Sequence, residues 1–189
     1  MKRLFAVTAF ALLATLAASA QSNPVVTTVR HMLMGDQHNI VASARYMPAS
    51  DYSFKASHTR GQWTFGHLMW HIGTSNFYMC SKIAGTAMPH QFHLTPHSPK
   101  HELIAQIVAS FHYCDGVLAH VTDAELGEPI HLFGPHEVPK AAGVIGLATD
   151  MSNHYAMAAG FLRLKGILPP TARHGMMMGR KGMHHPMKH

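Results

Sequence analysis

TDMSNHYAMAAGFLRLKGILPP, residues 149–170, closes the way a helix closes: an apolar run, then Arg163 and Lys165, Gly166, and a Pro-Pro stop. Cations in the last turn complement the free carbonyls there, and glycine accepts the positive φ that ends the helix. Within the stretch Asp150 and His154 stand four residues apart, one above the other on a single helix face. Leu147, Met157 and Phe161 share that face, so an acid and an imidazole fall in a stripe that otherwise has core character. A buried carboxylate is costly unless it is paired or binds metal, and Asp150 lies too far inside the helix to act as an N-cap. One i,i+4 pair leaves lone pairs unsatisfied, so a third polar group is expected from a facing helix.

Three further helices are expected upstream. Pro24 follows Ser22-Asn23 at the first helical position, and the helix runs to Pro48. The second spans about Thr64 to Gly85, and the third, KHELIAQIVASFHYCDGVLAHV, follows a Ser98-Pro99 cap. The fourth covers roughly 141–165, after an irregular segment at 123–139 rich in Gly and Pro. Four such helices describe an all-α four-helix bundle, a fold that holds metals with inward side chains from facing helices. Helix two offers His67 and His71 on one face. His71, Asp150 and His154 together supply two nitrogens and one oxygen with a position open for water, as in catalytic zinc sites and facial triads for other divalent metals. The competing reading is a His–Asp pair without metal. Eighteen His create accidental spacings of the same kind, such as His93 with His97 and His97 with His101.

The two ends have a different character. MKR, the apolar LFAVTAFALLATLA and the small residues Ala18-Ser19-Ala20 form a signal-peptide pattern over 1–20, with cleavage after Ala20. The apolar run is short for a bilayer span, which favours export over an uncleaved anchor. Residues 21–170 carry nine Lys plus Arg and nine Asp plus Glu, so the body is neutral and offers no footprint for nucleic acid. The positive excess lies in the leader and in 171–189, TARHGMMMGRKGMHHPMKH, which lacks apolar periodicity and is expected to be a disordered His/Met-rich basic tail. Its His and Met are soft-metal ligands, the alternative being a solvated tail without a specific role. In an oxidising compartment Cys80 and Cys114, on helices two and three, are a disulfide pair or else two buried thiols.

MPASDYSFKAS, WTFGHLMWHIGTSNFYMCS and the closing FLRLKGILPP resemble the DinB-like family, the DinB/YfiT-like metalloenzyme bundles, over essentially all of 24–170. The resemblance implies a divalent metal, zinc or nickel first and iron or manganese next, held by one His on helix two and an HxxxH pair on helix four. His71 matches the first of these and His154 the last. The remaining family His falls on Asp150, the usual second His before a Gly-Gln pair falls on Asn153, and that Gly-Gln pair is here Ala156-Met157. Aspartate is a competent ligand for zinc or iron, and His67 and Asn153 stand close enough in sequence to serve as a substitute ligand or as support for one.

Characterised relatives in the family include thiol-dependent S-transferases and isomerases, in which metal lowers the pKa of a small thiol. An exported relative would instead activate water for hydrolysis of a small-molecule substrate. The alternatives are a non-enzymatic envelope metal-binding or stress protein and a structural bundle with a degenerate site. No catalytic residue is named by the pattern. No stable membrane anchor is expected after cleavage, and a homodimer is left open.

Overall fold

The computed structural model describes residues 23–89 and 93–173. Four helices carry the fold: α1 (Pro24–Tyr46), α2 (Phe65–Ala84), α3 (Lys100–Leu118) and α4 (Lys140–Leu164). Each expected helix is present, and among the described residues the bundle is all-α apart from an isolated bridge between Lys55 and Thr64 and a two-residue antiparallel pairing of β1 (Pro129–Ile130) with β2 (Val138–Pro139). That hairpin and a short 3-10 helix, Asp123–Gly127, fill the segment expected to be irregular. No helix among the described residues is long and apolar enough to cross a membrane. Residues 1–20, read above as a signal peptide, and most of the segment read as a tail lie outside the described residues.

Cross-helix contacts fix the directions. Ser75 meets Asp150 while Met79 lies beside Gly146, so α2 and α4 run antiparallel. Thr74 meets Gln106, Asn76 meets Ser110 and Cys80 is bridged to Cys114, so α2 and α3 run parallel. Lys100, at the start of α3, donates to the Arg45 and Met47 carbonyls at the end of α1, so those two are antiparallel. The result is an up-down-down-up bundle in which the loop from Gly85 to Pro99 carries the chain back along its length. At about 3.3 Å per extended residue that loop has ample reach for a helix of this size.

The helix ends are satisfied by distant as well as local groups. Asp123 accepts from the Val25 and Val26 amides, capping α1 from nearly a hundred residues away, while Asn23 accepts from the Asp123 amide. Thr64 caps α2 through the His67 amide. The cap expected at Ser98 is not a helix cap, because its hydroxyl accepts from the Thr95 amide and closes the preceding turn. Gly85 and Gly166 take φ of 67° and 69°, the positive values their positions past α2 and α4 call for.

Ile40, Phe65, Leu68, Met69, Ile72, Leu103, Ile107, Leu147, Met151 and Leu162 are fully buried and form the centre of the core. The bundle also reaches beyond Pro170. Residues 170–173 form one more helical turn, with Thr171 bonded to the Tyr155 hydroxyl and the Arg173 guanidinium 4.1 Å from the Tyr46 ring centre. The part held against the bundle therefore includes residues 171–173, beyond the end that the apolar pattern implies, because polar and cation–π contacts hold them without burying a hydrophobic face.

Candidate metal centre

The antiparallel pairing of α2 with α4 produces the site as a ladder of opposed residues. His71 faces His154, with ring centres 4.9 Å apart and planes at 66°. One turn along, the Ser75 hydroxyl donates to Asp150 Oδ2 at 3.0 Å, and a turn further Met79 lies beside Gly146. His154 Nδ1 lies 3.5 Å from that same Asp150 Oδ2. That separation is too long to satisfy the nitrogen, which is buried and has no hydrogen-bond partner.

The structure therefore brings together His71, Asp150 and His154. It corrects the surroundings expected for the carboxylate. Asp150 is not deeply buried: its side chain is 35% exposed and accepts a hydrogen bond from the Ser75 hydroxyl. Met157, assigned by spacing to the core stripe, is exposed, whereas Leu147 and Phe161 are buried. For Asp150 the reason is geometric, since it lines an open cleft between α4 and α2. Ser75 escaped the sequence reading although it stands one helical turn after His71. Its distance from Asp150 becomes small only once the helix directions are known.

His67 has a different environment. It stacks on Trp63 with ring centres 4.7 Å apart and planes at 9°, and meets Trp70 edge-on at 5.5 Å. Trp63 also lies 4.6 Å from His71, so one indole spans both imidazoles of α2. Asn153 is exposed and lines the cleft beside Asp150. Among the described residues, no group of three or more His, Cys, Asp or Glu side chains stands in metal-holding geometry.

Electrostatics set the imidazoles in their neutral form. Burial lowers the pKa of His154, opposed by the Asp150 charge. Burial also lowers that of His71, assisted by His154 and His67 and opposed by Asp150. Neutral imidazole is the form that ligates metal. The donor set, two such nitrogens and a carboxylate, suits a divalent ion, and the orphaned His154 Nδ1 is a buried atom in want of a partner. The chemistry of the residues thus fits a metal, although the carboxylate is already engaged by Ser75.

A cleft of about 640 Å³ opens from this cluster along α4. Its far end is walled by Met79, Leu132, Phe133 and Ile145. The β1–β2 hairpin is fixed there by the Tyr78 hydroxyl, which donates to the Leu132 carbonyl at 2.8 Å, and by stacking of Phe133 on Tyr78. Away from the site, Cys80 and Cys114 form a disulfide between α2 and α3, with Cα atoms 5.4 Å apart.

The fold is an up-down-down-up four-helix bundle, and sequence comparison gives its family. Residues 32–157 match the model of the DinB superfamily, and the chain belongs to that superfamily. Solved structures with the same fold include a DinB-like protein from Bacillus subtilis, 20% identical with a TM-score of 0.59, covering 74% of this chain and 92% of that one. A DinB-like protein from Bacillus cereus is 16% identical with a TM-score of 0.59, covering 71% and 89%. A mycothiol-dependent maleylpyruvate isomerase is 11% identical with a TM-score of 0.55, covering 69% of this chain and 59% of that enzyme. No curated protein matches the chain.

Proposed function

We propose that this chain is an exported DinB-like protein that holds one divalent metal between α2 and α4, with His71, Asp150 and His154 as ligands, and acts on a small molecule by transfer or hydrolysis. The observation that carries the reading is the buried, unpartnered His154 Nδ1, set beside a carboxylate and a second imidazole. Zinc or nickel suits this donor set best, and one carboxylate leaves room for iron or manganese. Such an ion would supply Lewis acidity and lower the pKa of a bound water or thiol. The protein's own groups hold and orient: Ser75 fixes Asp150 Oδ2, and Trp63 braces the His71 ring. Export rests on the leader pattern, and an intact mass beginning at Gln21 in protein from the envelope fraction supports it. Retention of Met1 together with membrane association overturns it.

The degenerate-site reading is favoured by two observations: among the described residues no three His, Cys, Asp or Glu side chains stand in metal-holding geometry, and the Ser75 hydrogen bond already satisfies Asp150 without metal. Elemental analysis of a chain shortened after Arg173 separates the two, since the His/Met tail is then absent. Stoichiometric metal lost in His154→Ala supports the proposal. A shortened chain that carries no metal and takes none up leaves only a polar pair. Asp150→His, which restores the family's His at that position, is expected to retain or tighten binding.

A further inference from the structure

The cleft beside the cluster is graded along its length. The α4 residues that line it run from Ala141 to Asn153, about 18 Å at 1.5 Å per residue. The first half is apolar, with Ala141, Ala142, Ile145 and Gly146, and the second half is polar, with Thr149, Asp150 and Asn153. The facing wall follows the same order, from Met79 through Ser75 to His71. No Lys or Arg is among the described residues that line it, and Asp150 is the one carboxylate. Lys82, one turn beyond Met79 on α2, is held over the Tyr78 ring at 5.4 Å instead. The volume is that of a site for a small organic molecule.

We infer that this cleft takes a small molecule with an apolar body and no anionic group, lying along α4 with its reacting polar end toward His71, Asp150 and His154. The position of the reacting end rests on the function proposed above, whereas the choice of body rests on the lining alone. An anionic substituent has no good place here. Toward the metal-free cluster it meets the Asp150 carboxylate, and toward Met79, Phe133 and Ile145 it meets apolar side chains and no cation. Ile145 and Phe133, 51% and 65% exposed, are large apolar side chains at the cleft mouth, and an apolar ligand would cover both. Gly146 keeps the floor low, since a Cβ there would stand 3.7 Å from the Met79 methyl.

The test uses the full chain and two probes of equal length, octan-1-ol and octanoate, with chelator present so that bound metal plays no part. The Met79 methyl resonance, assigned through Met79→Leu, reports occupancy from inside the cleft. Octan-1-ol is expected to shift it saturably, and octanoate to bind at least tenfold more weakly. Ile145→Arg, at an exposed position where folding is not at stake, is expected to strengthen octanoate binding at least fivefold and to weaken octan-1-ol. Octanoate binding as tightly as octan-1-ol to the unaltered protein overturns the inference, and so does an Ile145→Arg protein with unchanged preference. A Met79 methyl that responds to neither probe, as when a second copy of the chain fills the cleft, overturns it too. Failure of metal uptake, measured separately, leaves these outcomes as they are, so the two readings fail independently.

Discussion

Replacing His154 by leucine should change stability in opposite directions with and without metal. His154 is 6% exposed, and its Nδ1 lacks a hydrogen-bond partner. A buried polar group left unsatisfied costs about 1–3 kcal/mol. Leucine of similar volume removes that cost, while imperfect fit returns up to about 1.5 kcal/mol. Loss of the contact with Asp150 adds little, because that carboxylate is 35% exposed and keeps Ser75. In chelator, therefore, His154→Leu is expected to be neutral or up to about 2 kcal/mol more stable than the parent protein. For a domain of this size that corresponds to a rise of roughly 0–8 °C in Tm.

If His154 is a ligand as proposed, zinc at a hundred times its Kd should stabilise the parent by about 2.7 kcal/mol and the variant by nothing. The order of the two melting temperatures then reverses. Paired calorimetric scans of both chains, shortened after Arg173, with chelator and with zinc, read this directly. A variant more than about 2 kcal/mol less stable in chelator would show that Nδ1 is well partnered in the native protein. Parallel responses of the two proteins to zinc would refute the role of His154 as a ligand.

Three other outcomes follow from the packing. The Cys80–Cys114 bridge spans 34 residues, for which the chain-entropy relation gives about 4 kcal/mol; Cys80→Ala with Cys114→Ala should lower Tm by on the order of 10 °C, and two free thiols in the denatured, unreduced parent would remove the basis for this. Burial raises the pKa of Asp36 above 3.8, partly offset by the Ser152 hydroxyl, so its ionisation opposes folding as pH climbs past 3.8 and through the folded value. Asp36→Asn should gain stability relative to the parent at pH 7 but not at pH 3, and an advantage independent of pH in denaturant titrations counts against that sign. Gly66→Ala should cost more than Gly73→Ala, because a Cβ at the first would stand 2.8 Å from the Pro96 carbonyl oxygen of the main chain and at the second 2.9 Å from the Gln106 side chain. The expected losses, read by urea unfolding, are about 3 and 1–2 kcal/mol, and the reverse order refutes the contact argument.

The four helices and their ends were legible because their signals are local: apolar periodicity, prolines at starts, and glycines and cations at stops. What stayed hidden was relational. That Asp123 caps α1, or that the hairpin tip at Leu132 and Phe133 walls the cleft, depends on contacts between distant parts of the chain. His71 and His154 could be paired from spacing and resemblance. The exposure of Asp150 could not, because a helix face is assigned as core by its neighbours in sequence, whereas exposure is decided by what the next helix leaves uncovered.

α2 links these features because it carries three separate duties on three faces. Leu68, Met69 and Ile72 are fully buried in the core. Gly73, Asn76 and Cys80 turn to α3, where Asn76 meets Ser110 in a buried hydrogen bond and Cys80 is bridged. His71, Ser75 and Met79 make the cleft wall. A helix with one face free could slide along its partner by a fraction of a turn. Here the parallel pairing with α3 is held by a covalent bridge and a polar layer, so the height of His71 opposite His154 is fixed from the side away from the chemistry. Breaking the bridge should thus loosen the rungs facing α4 as well as lower Tm. The expected sign is a broadened Met79 methyl resonance in the Cys80→Ala, Cys114→Ala protein under conditions where it is still folded. An unchanged Met79 line would mean that α4 alone sets the ladder, and that the bridge stabilises the fold without shaping the site.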